Sequence, residues 1–316
     1  MLERIPQKTD ILQSAKRIEF HINRTPVLTS ATLDKMFNAE LFFKCENFQK
    51  AGAFKSRGAA NAVFSLTDEE AQKGVSTHSS GNHAQALARA ALLRKIPAYI
   101  VMPENAPKVK IEAVRDYGGQ ITFCKPTLQA REETILKVNA KTGATEIHPY
   151  DNYTIIAGQA TAAKELLEDA GQLDIILCPV GGGGLLSGTA LSSHYFSKKT
   201  KVIACEPCGA DDAYKSFKAG YIIPSENPDT IADGLLTSLG KRNFPIIQKL
   251  VSEVVTVSDE AIVKAMKLIF ERMKIVVEPS AVVSLAAILE EKVNVAGKRI
   301  GLILSGGNVD LQKLPF

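Results

Sequence analysis

Short apolar segments alternate with amphipathic helical segments along this chain of 316 residues, and this alternation restricts the possible folds more than any other feature. The clearest apolar segments are DIILCPV at 174–180 and RIGLILS at 299–305. Strands with this composition are typical of parallel sheets, in which helices cover both faces. The sequence therefore predicts an α/β fold with mainly parallel sheets covered by helices.

Composition and charge narrow the class of protein further. The chain is 45% hydrophobic and 23% charged, with a net charge of +4 and no block of Lys or Arg, so nothing favours a nucleic-acid partner. The N-terminus lacks the apolar core of a secretory signal, and no stretch approaches the ~20 apolar residues of a membrane span. Five scattered cysteines suit a reducing compartment. We expect a cytoplasmic protein without a membrane partner.

Two segments lack a clear pattern. KPTLQAR at 125–131 is typical of a polar turn, and residues 207–236 are rich in Gly, Pro and Asp. A long segment without a pattern in a compact enzyme is often part of a site or a lid.

Four consecutive glycines, Gly181–Gly184, lie between a buried strand and a helix. Their backbone N–H groups can approach a ligand closely, and the start of the following helix favours an anion, so a phosphate is the natural guest. The alternative is a tight turn that needs glycine only for its backbone angles. The spacing matches neither a Walker loop nor G-x-G-x-x-G, which disfavours nucleotide binding at this loop.

Lys55 is flanked by Phe54 and small residues in ENFQKAGAFKSRGA. A lysine amine in a partly apolar niche loses its charge more easily and can form a Schiff base. Most helical lysines are solvated surface residues, which is the alternative interpretation here.

Polar residues follow two further strands. Ser79, Ser80, Asn82 and His83 lie at a strand-to-helix junction, where they can bind a carboxylate or simply cap a helix. Ser305 follows the strand near the C-terminus. Ligands of open α/β sheets bind outside the carboxyl ends of the strands, where all these residues are expected.

Five motifs together resemble one family, the pyridoxal-phosphate enzymes of fold type II, which are tryptophan synthase β-like. These motifs are ENFQKAGAFKSRGA, SSGNHAQA, VGGGGLLSG, EPSA and LSGGNVDL, and the similarity runs from residue 24 to residue 311. Within the family the chain is most similar to serine racemases and serine/threonine dehydratases. The resemblance implies two lobes, with residues 1–67 and 153–316 in the large cofactor-binding lobe and 68–152 in a small mobile lobe.

The resemblance also implies how pyridoxal 5'-phosphate is held. Lys55 would bind the cofactor covalently, Asn82 would contact the ring hydroxyl, and Ser305 would face the pyridine nitrogen. A neutral hydroxyl there makes the ring a weaker electron sink, which fits racemisation and β-elimination better than transamination. The implied cofactor residues are Phe54, Lys55, Asn82, Gly181, Gly182, Gly183, Gly184, Leu185 and Ser305.

The activity implied is interconversion of L- and D-serine, with elimination of serine to pyruvate and ammonia. Lys55 would serve one face of the α-carbon and Ser80 the other, because racemisation needs a proton donor and acceptor on each face. The implied substrate-binding residues are Ser79, Ser80, Asn82, His83 and Arg131. A dehydratase for threonine, serine or 3-hydroxyaspartate is the nearest alternative, and a non-catalytic phosphate- or nucleotide-binding regulator is a remote one.

Further sites are implied only by the resemblance. A Mg²⁺, Mn²⁺ or Ca²⁺ ion would bind Glu206, Asp212 and the carbonyl of Ala210. The chain is expected to form a homodimer, with ATP as an activator between subunits. The positions matching that ATP site are Ser30, Ala31, Thr32, Lys50, Ala51, Gln85, Tyr117, Lys274 and Asn308.

Overall fold

A computed structural model describes residues 1–79, 81–106 and 108–316. In these ranges the strands are β1 (Val27–Leu28), β2 (Glu40–Cys45), β3 (Val75–His78), β4 (Ala98–Pro103), β5 (Gln120–Cys124), β6 (Thr145–Glu146), β7 (Ile175–Pro179), β8 (Lys201–Pro207), β9 (Glu253–Val257) and β10 (Arg299–Leu304). The helices are α1 (Lys8–Ile18), α2 (Ala31–Phe37), α3 (Lys55–Phe64), α4 (Asp68–Gln72), α5 (Asn82–Arg94), α6 (Lys108–Asp116), α7 (Leu128–Thr142), α8 (Tyr153–Ala170), α9 (Gly184–Phe196), α10 (Asp212–Ala219), α11 (Phe244–Leu250), α12 (Asp259–Met273) and α13 (Val283–Leu289).

The larger sheet has the strand order β1-β2-β10-β7-β8-β9. All neighbours are parallel except β1, which pairs antiparallel with β2. The two strands that the sequence marks as fully apolar, β7 and β10, lie side by side at its centre and are almost completely buried. The apolar composition of these strands thus follows from burial on both faces.

The smaller sheet has the order β5-β4-β3-β6, and all its neighbours are parallel. Its four strands lie between residues 75 and 146, within the range predicted for the small lobe. The predicted α/β fold with two mainly parallel sheets is confirmed, while the exact lobe boundaries remain a prediction.

Helix α3 is held against α8 by a close contact between glycines. A Cβ on Gly158 would lie 2.7 Å from the Cα of Gly58, and a Cβ on Gly58 would lie 3.0 Å from the carbonyl oxygen of Ile155. Any side chain at either position would force the helices apart. This contact fixes α3, whose first residue is Lys55.

Two expectations for irregular segments need correction. Helix α7 begins at Leu128, inside the segment predicted as a polar turn, because the hydroxyl of Thr127 caps it by accepting from the N–H of Ala130 at 3.2 Å. The segment 207–236 contains α10, which begins at Asp212. Strand β9 and helix α11 were not predicted, since five to seven residues give too little periodicity.

No helix within the described ranges is both long enough and apolar enough to cross a membrane.

Candidate active site

The amine of Lys55 lies in a niche between two aromatic rings. Its Nζ donates to the carbonyl oxygen of Pro149 at 2.9 Å and lies 5.1 Å from the ring centroid of Phe54 and 5.9 Å from that of Tyr150. Burial lowers the pKa of Lys55 to about 8, although the charge of Glu278 acts in the opposite direction. A substantial fraction of the amine is therefore neutral near pH 8, as a nucleophile or base requires.

The segment 147–151 connects the small sheet to α8 and contacts several parts of the site. The carbonyl oxygen of Ile147 accepts from Nε2 of His83 at 3.0 Å. The carbonyl oxygen of Pro149 accepts from Nζ of Lys55, and the carbonyl oxygen of Tyr150 accepts from Nδ2 of Asn243 at 3.1 Å. Backbone carbonyls of one segment thus hold side chains from α5, from α3 and from the residue before α11.

The glycine loop, Gly181–Gly184, lies between β7 and the start of α9. A Cβ on Gly182 would lie 2.4 Å from the ring of Tyr150, and Gly183 has φ = +91°. Packing and backbone conformation therefore both require glycine, as the tight-turn alternative proposed. The loop also leads into the first turn of α9, whose unpaired N–H groups attract an anion, so the structure is compatible with phosphate as well.

The side-chain amide of Asn82 is held in one orientation. Its Nδ2 donates to both carboxylate oxygens of Glu278, at 3.0 and 3.1 Å, while its Oδ1 accepts from Nδ2 of Asn308 at 2.9 Å. Burial raises the pKa of Glu278 to about 7, against the opposing effect of the Asn82 hydrogen bond. No role for Glu278 was predicted from sequence, although it begins the EPSA motif.

Ser305 lies at the end of β10 beside the Lys55 turn. It is buried, and its carbonyl oxygen accepts from the backbone N–H of Phe54 at 3.0 Å. An isolated bridge between Ala53 and Gly306 joins the same two segments. The ends of β7 and β10 and the Lys55 turn therefore lie at the larger sheet, whereas Asn82 follows β3 of the smaller sheet. The hydrogen bonds from Asn82 to Glu278 and from Asn308 to Asn82 bring this second sheet's strand end to the same site.

The predicted substrate residues are only partly described. The Oγ of Ser79 accepts from the N–H of Gly81 at 3.3 Å, which is a turn contact. Arg131 lies in α7. The pKa of His78, at the end of β3, is lowered mainly by burial of its ring and also by the nearby charge of Arg131. Ser80, the predicted second catalytic residue, lies outside the described residues.

The imidazole of His83 is oriented away from the role predicted for it. The side chain is 2% exposed, and its Nε2 must carry the proton because a carbonyl oxygen only accepts. Burial, followed by the charge of Lys55, lowers the pKa of His83 to about 3, so the ring is neutral. Any contact between His83 and a carboxylate would therefore use its backbone N–H at the start of α5 rather than the ring.

Two buried carboxylates, Glu206 and Asp212, lie close to each other at the start of α10. Glu206 accepts from the N–H groups of Ala213 and Tyr214 at 2.9 and 2.8 Å, and Oδ2 of Asp212 accepts from the N–H of Leu239 at 3.2 Å. Oδ1 of Asp212 is buried without a partner among the described residues. Burial raises the pKa of Glu206 to about 9 and that of Asp212 to about 6.

This carboxylate pair has too few side chains for a transition-metal site. Within the described part of the chain, no cluster of three or more His, Cys, Asp or Glu side chains is arranged to hold a metal ion. A cation at Glu206 and Asp212 would need the carbonyl of Ala210 and water as further ligands, which suits Mg²⁺ or Ca²⁺ rather than zinc.

The positions predicted for ATP are only partly brought together. Nδ2 of Asn308 donates to the carbonyl oxygen of Ala51 at 2.8 Å, close to Asn82. Ser30 instead caps the start of α2, and Lys274 is the residue that follows the last residue of α12. Among the described residues no hydrogen bond joins Ser30 or Lys274 to the Asn308 group.

Comparisons with known proteins give the site its context. The family model for the pyridoxal-phosphate dependent enzymes matches residues 18–306. The β-hydroxyaspartate dehydratase of Paracoccus denitrificans is 54% identical over 99% of both chains, and the serine racemase of Dictyostelium discoideum is 50% identical over 96% of this chain and 95% of its own. The maize serine racemase structure superposes with a TM-score of 0.95 at 48% identity, covering 97% of this chain and 94% of its own. The chain belongs to the pyridoxal-phosphate dependent enzymes and, within them, to the family of amino-acid racemases and ammonia-lyases.

Proposed function

We propose that this enzyme interconverts L- and D-serine and, as a second activity, converts serine to pyruvate and ammonia. The observation that carries the proposal is the amine of Lys55. It is half-buried, has a lowered pKa and donates to the carbonyl oxygen of Pro149, in the segment whose Tyr150 packs on the glycine loop. A neutral amine at this position can remove the proton from the α-carbon of a bound amino acid. The 50% identity to a serine racemase over nearly the whole chain supports serine as the substrate.

The residues around Lys55 fit pyridoxal phosphate. The glycine loop and the first turn of α9 suit its phosphate, and Ser305 supplies a neutral hydroxyl for the ring nitrogen. Asn82, whose amide otherwise pairs with Glu278 and Asn308, would contact the ring oxygen. When bound, the cofactor withdraws electrons from the α-carbon of the amino acid and makes its proton acidic. A hydroxyl rather than a carboxylate at the nitrogen favours racemisation and elimination over transamination.

Residues of the chain itself bind the substrate carboxylate and transfer the protons. Backbone N–H groups at the start of α5 are positioned to bind the substrate carboxylate, since they lie at the positive end of the helix dipole. Lys55 removes the α-proton from one face, and Ser80 returns a proton from the other to give D-serine. If the β-hydroxyl leaves instead, the protonated amine of Lys55 can supply its proton, and hydrolysis yields pyruvate and ammonia.

A second candidate function is dehydration of 3-hydroxyaspartate. The relative from Paracoccus denitrificans carries that activity in its name, and Arg131 provides a cation on the side of the site formed by the small sheet. A β-carboxylate would need such a cation, whereas serine would not. The substrate thus depends on whether Arg131 pairs with a substrate carboxylate.

One substrate panel separates these functions. Purified enzyme with pyridoxal phosphate and Mg²⁺ is given L-serine, L-threonine or L-threo-3-hydroxyaspartate, and D-serine, pyruvate, 2-oxobutanoate and oxaloacetate are measured. Because Ser80 serves only one face, Ser80→Ala is expected to lose D-serine formation by roughly 10²–10⁴-fold while pyruvate formation from L-serine persists. Pyruvate without D-serine from the unmodified enzyme contradicts the racemase proposal.

Arg131→Gln is the matched variant for the second candidate. A loss confined to 3-hydroxyaspartate, with serine turnover unchanged, supports a β-carboxylate contact at Arg131. An equal loss of turnover with both substrates contradicts that contact. So does a rate of oxaloacetate formation that is the same in the variant and in the unmodified enzyme.

We further propose a divalent cation at Glu206 and Asp212. Both carboxylates are buried and have raised pKa values, and one oxygen of Asp212 has no partner among the described residues. A hard cation bound there would stabilise the charged form of both groups and pair with that oxygen. The cation must displace protons from both groups, so its binding strengthens as the pH rises.

The expected result is thermal stabilisation by Mg²⁺ that depends on pH. At 100 times its Kd a ligand of the folded state stabilises it by about 2.7 kcal/mol, which is several degrees in Tm. The shift should be larger at a pH near 8.5 than near 5.5, because Asp212 is protonated below about 6. The Glu206→Gln variant should show no rise in Tm with Mg²⁺. A rise in Tm that is equal at both pH values in the unmodified enzyme contradicts the proposed cation site.

ATP activation, a homodimer and a cytoplasmic location are proposals that rest on the resemblance. The contact between Asn308, Ala51 and Asn82 supports only the part of the ATP site nearest the cofactor.

A further inference from the structure

Residues 147–152 join the end of β6 to the start of α8 without regular secondary structure. In this segment the backbone N–H groups of Tyr150 and Asp151 share one acceptor among the described residues, which is Nδ1 of His148. The distances from Nδ1 to the two backbone nitrogens are 3.4 and 2.9 Å. The side chain of His148 therefore closes a tight turn around Pro149.

This contact resembles the one that an Asn or Asp side chain makes in an Asx turn, where a side-chain oxygen accepts from backbone N–H groups shortly after it. Nδ1 accepts only when it carries no proton, so in the neutral ring the proton is on Nε2. Burial lowers the pKa of His148 to about 3, and the charges of His78 and Lys55 act in the same direction. The ring is therefore neutral, and Nδ1 is an acceptor, throughout the range near pH 7.

The turn fixes the carbonyl group of Pro149, which lies between His148 and the two bonded N–H groups. The oxygen of this carbonyl accepts from Nζ of Lys55 at 2.9 Å. A carbonyl takes one N–H of a neutral amine, so the lone pair of Lys55 must point away from Pro149. The direction of this carbonyl thus sets the direction in which Lys55 can attack a carbon or remove a proton.

The two ends of the turn are bonded to different parts of the molecule. The N–H of Ile147 donates to the carbonyl oxygen of Ser76 in β3 at 2.8 Å. The carbonyl oxygen of Tyr150 accepts from Nδ2 of Asn243, just before α11, at 3.1 Å. Pro149 has no N–H of its own to donate. The two hydrogen bonds to the imidazole therefore determine how its carbonyl is turned between these ends.

The imidazole of His148 also packs between two other rings. It meets His78 and Tyr150 edge-on, with centroids 5.9 and 4.6 Å away. This packing keeps the ring in place, and a purely apolar ring would pack in the same way. Bonding the turn is a separate property that belongs to the nitrogen, because without it two backbone N–H groups lose their acceptor.

We propose that His148 is a positioning residue: through Nδ1 it orients the carbonyl of Pro149, and that carbonyl orients the amine of Lys55. This inference rests on the role proposed for Lys55 above, and it gives His148 no contact with substrate or cofactor. A displacement of about 1 Å at a reacting group can cost about 100-fold in rate. Loosening the turn should therefore lower kcat more than it changes KM.

Two substitutions separate the nitrogen from the ring. His148→Asn loses the ring but keeps an acceptor, since its Oδ1 takes the place of Nδ1. His148→Phe keeps the ring but has no acceptor. With the substrate that the enzyme turns over best, the kcat of His148→Asn should stay within about threefold of the unmodified enzyme. The kcat of His148→Phe should fall by about 10- to 100-fold, with KM changed by less than about threefold.

Capture of pyridoxal phosphate by the apoenzyme, followed by its absorbance, is a second readout that needs neither turnover nor a known substrate. The capture rate should fall in His148→Phe and persist in His148→Asn. His148→Ala also lacks an acceptor and should behave like His148→Phe, so the comparison stands even if phenylalanine is poorly accommodated. His194→Phe is the matched control, because His194 is exposed and also packs edge-on against a tyrosine. It should leave both rates unchanged.

The outcomes are distinguishable. Unchanged kcat and capture in His148→Phe and His148→Ala would overturn the inference, because the acceptor would then be dispensable. Equal losses in His148→Asn and His148→Phe would overturn it too, because the ring rather than Nδ1 would then matter. If the unmodified apoenzyme fails to capture the cofactor at Lys55, the role proposed for Lys55 is wrong and the inference fails with it.

Discussion

Lys55→Ala is expected to lose both D-serine and pyruvate formation by at least about 10³-fold, because Lys55 supplies both the amine that would bind the cofactor and the base for the α-proton. Its Nζ lies at the carbonyl of Pro149 and between the rings of Phe54 and Tyr150, within the described residues. Chiral chromatography measures D-serine, and a coupled assay measures pyruvate. Lys73→Ala, at an exposed lysine that pairs with Glu69 at 3.5 Å, is the matched control and should keep full activity.

A second readout does not depend on turnover. Reduction with borohydride, followed by digestion and mass spectrometry, should show the cofactor on the peptide that contains Lys55 and on no peptide of the variant. Capture of the cofactor by the unmodified apoenzyme should speed up as the pH rises towards 8 and then level off, since the pKa of Lys55 is lowered to about 8. A rate that continues to rise towards pH 10.5 would mean an ordinary exposed lysine.

The parts of this site that were predicted from sequence are those with a local signature. Gly181–Gly184 follow an apolar strand, and Lys55 precedes a run of small residues that forms α3. Each pattern lies within about ten residues of sequence. The periodicity of the neighbouring strand or helix and the glycines or small residues beside it are therefore enough to predict where the site residue lies.

The remaining parts depend on long-range contacts between groups without such a signature. Pro149 contributes a backbone carbonyl, which any residue possesses, and it meets Lys55 across 94 positions of sequence. Asn82 and Glu278 are 196 positions apart. The ring of His83 looks available in SSGNHAQA, yet the fold turns it towards Ile147, because burial makes the neutral ring and its single donor the stable arrangement.

A buried cluster of charges around Arg57, in the first turn of α3, was also not predicted. Arg57 is completely buried, and its guanidinium donates to both oxygens of Glu46 at 2.7 Å and to both oxygens of Glu165 at 2.8 and 2.7 Å. Lys44, equally buried, donates to Glu165 at 2.6 Å. The partners come from β2, the turn after it, α3 and α8, so the cluster ties these elements together.

Arg57→Met is expected to destabilise the enzyme by about 3–5 kcal/mol, which lowers Tm by roughly 10 °C. Methionine fills the space of the aliphatic stem, but Glu46 then loses its buried salt bridge and Glu165 keeps only the one to Lys44 among the described residues. Thermal and urea unfolding measure the change. Arg24→Ala, which removes a half-exposed partner of Glu168 and Asp169, should cost no more than about 1 kcal/mol.

The pH dependence of Arg57→Met distinguishes lost charge pairing from lost packing. Without the guanidinium, burial favours the protonated carboxyls, so the folded variant binds more protons than its unfolded chain and gains stability as the pH falls. In the unmodified enzyme the guanidinium keeps the pKa of Glu165 low in spite of burial, so no such gain occurs. The difference in stability between the two should therefore shrink from pH 8 to pH 5. A constant difference means that packing alone was lost, whereas a difference that shrinks towards pH 5 means that charge pairing was lost.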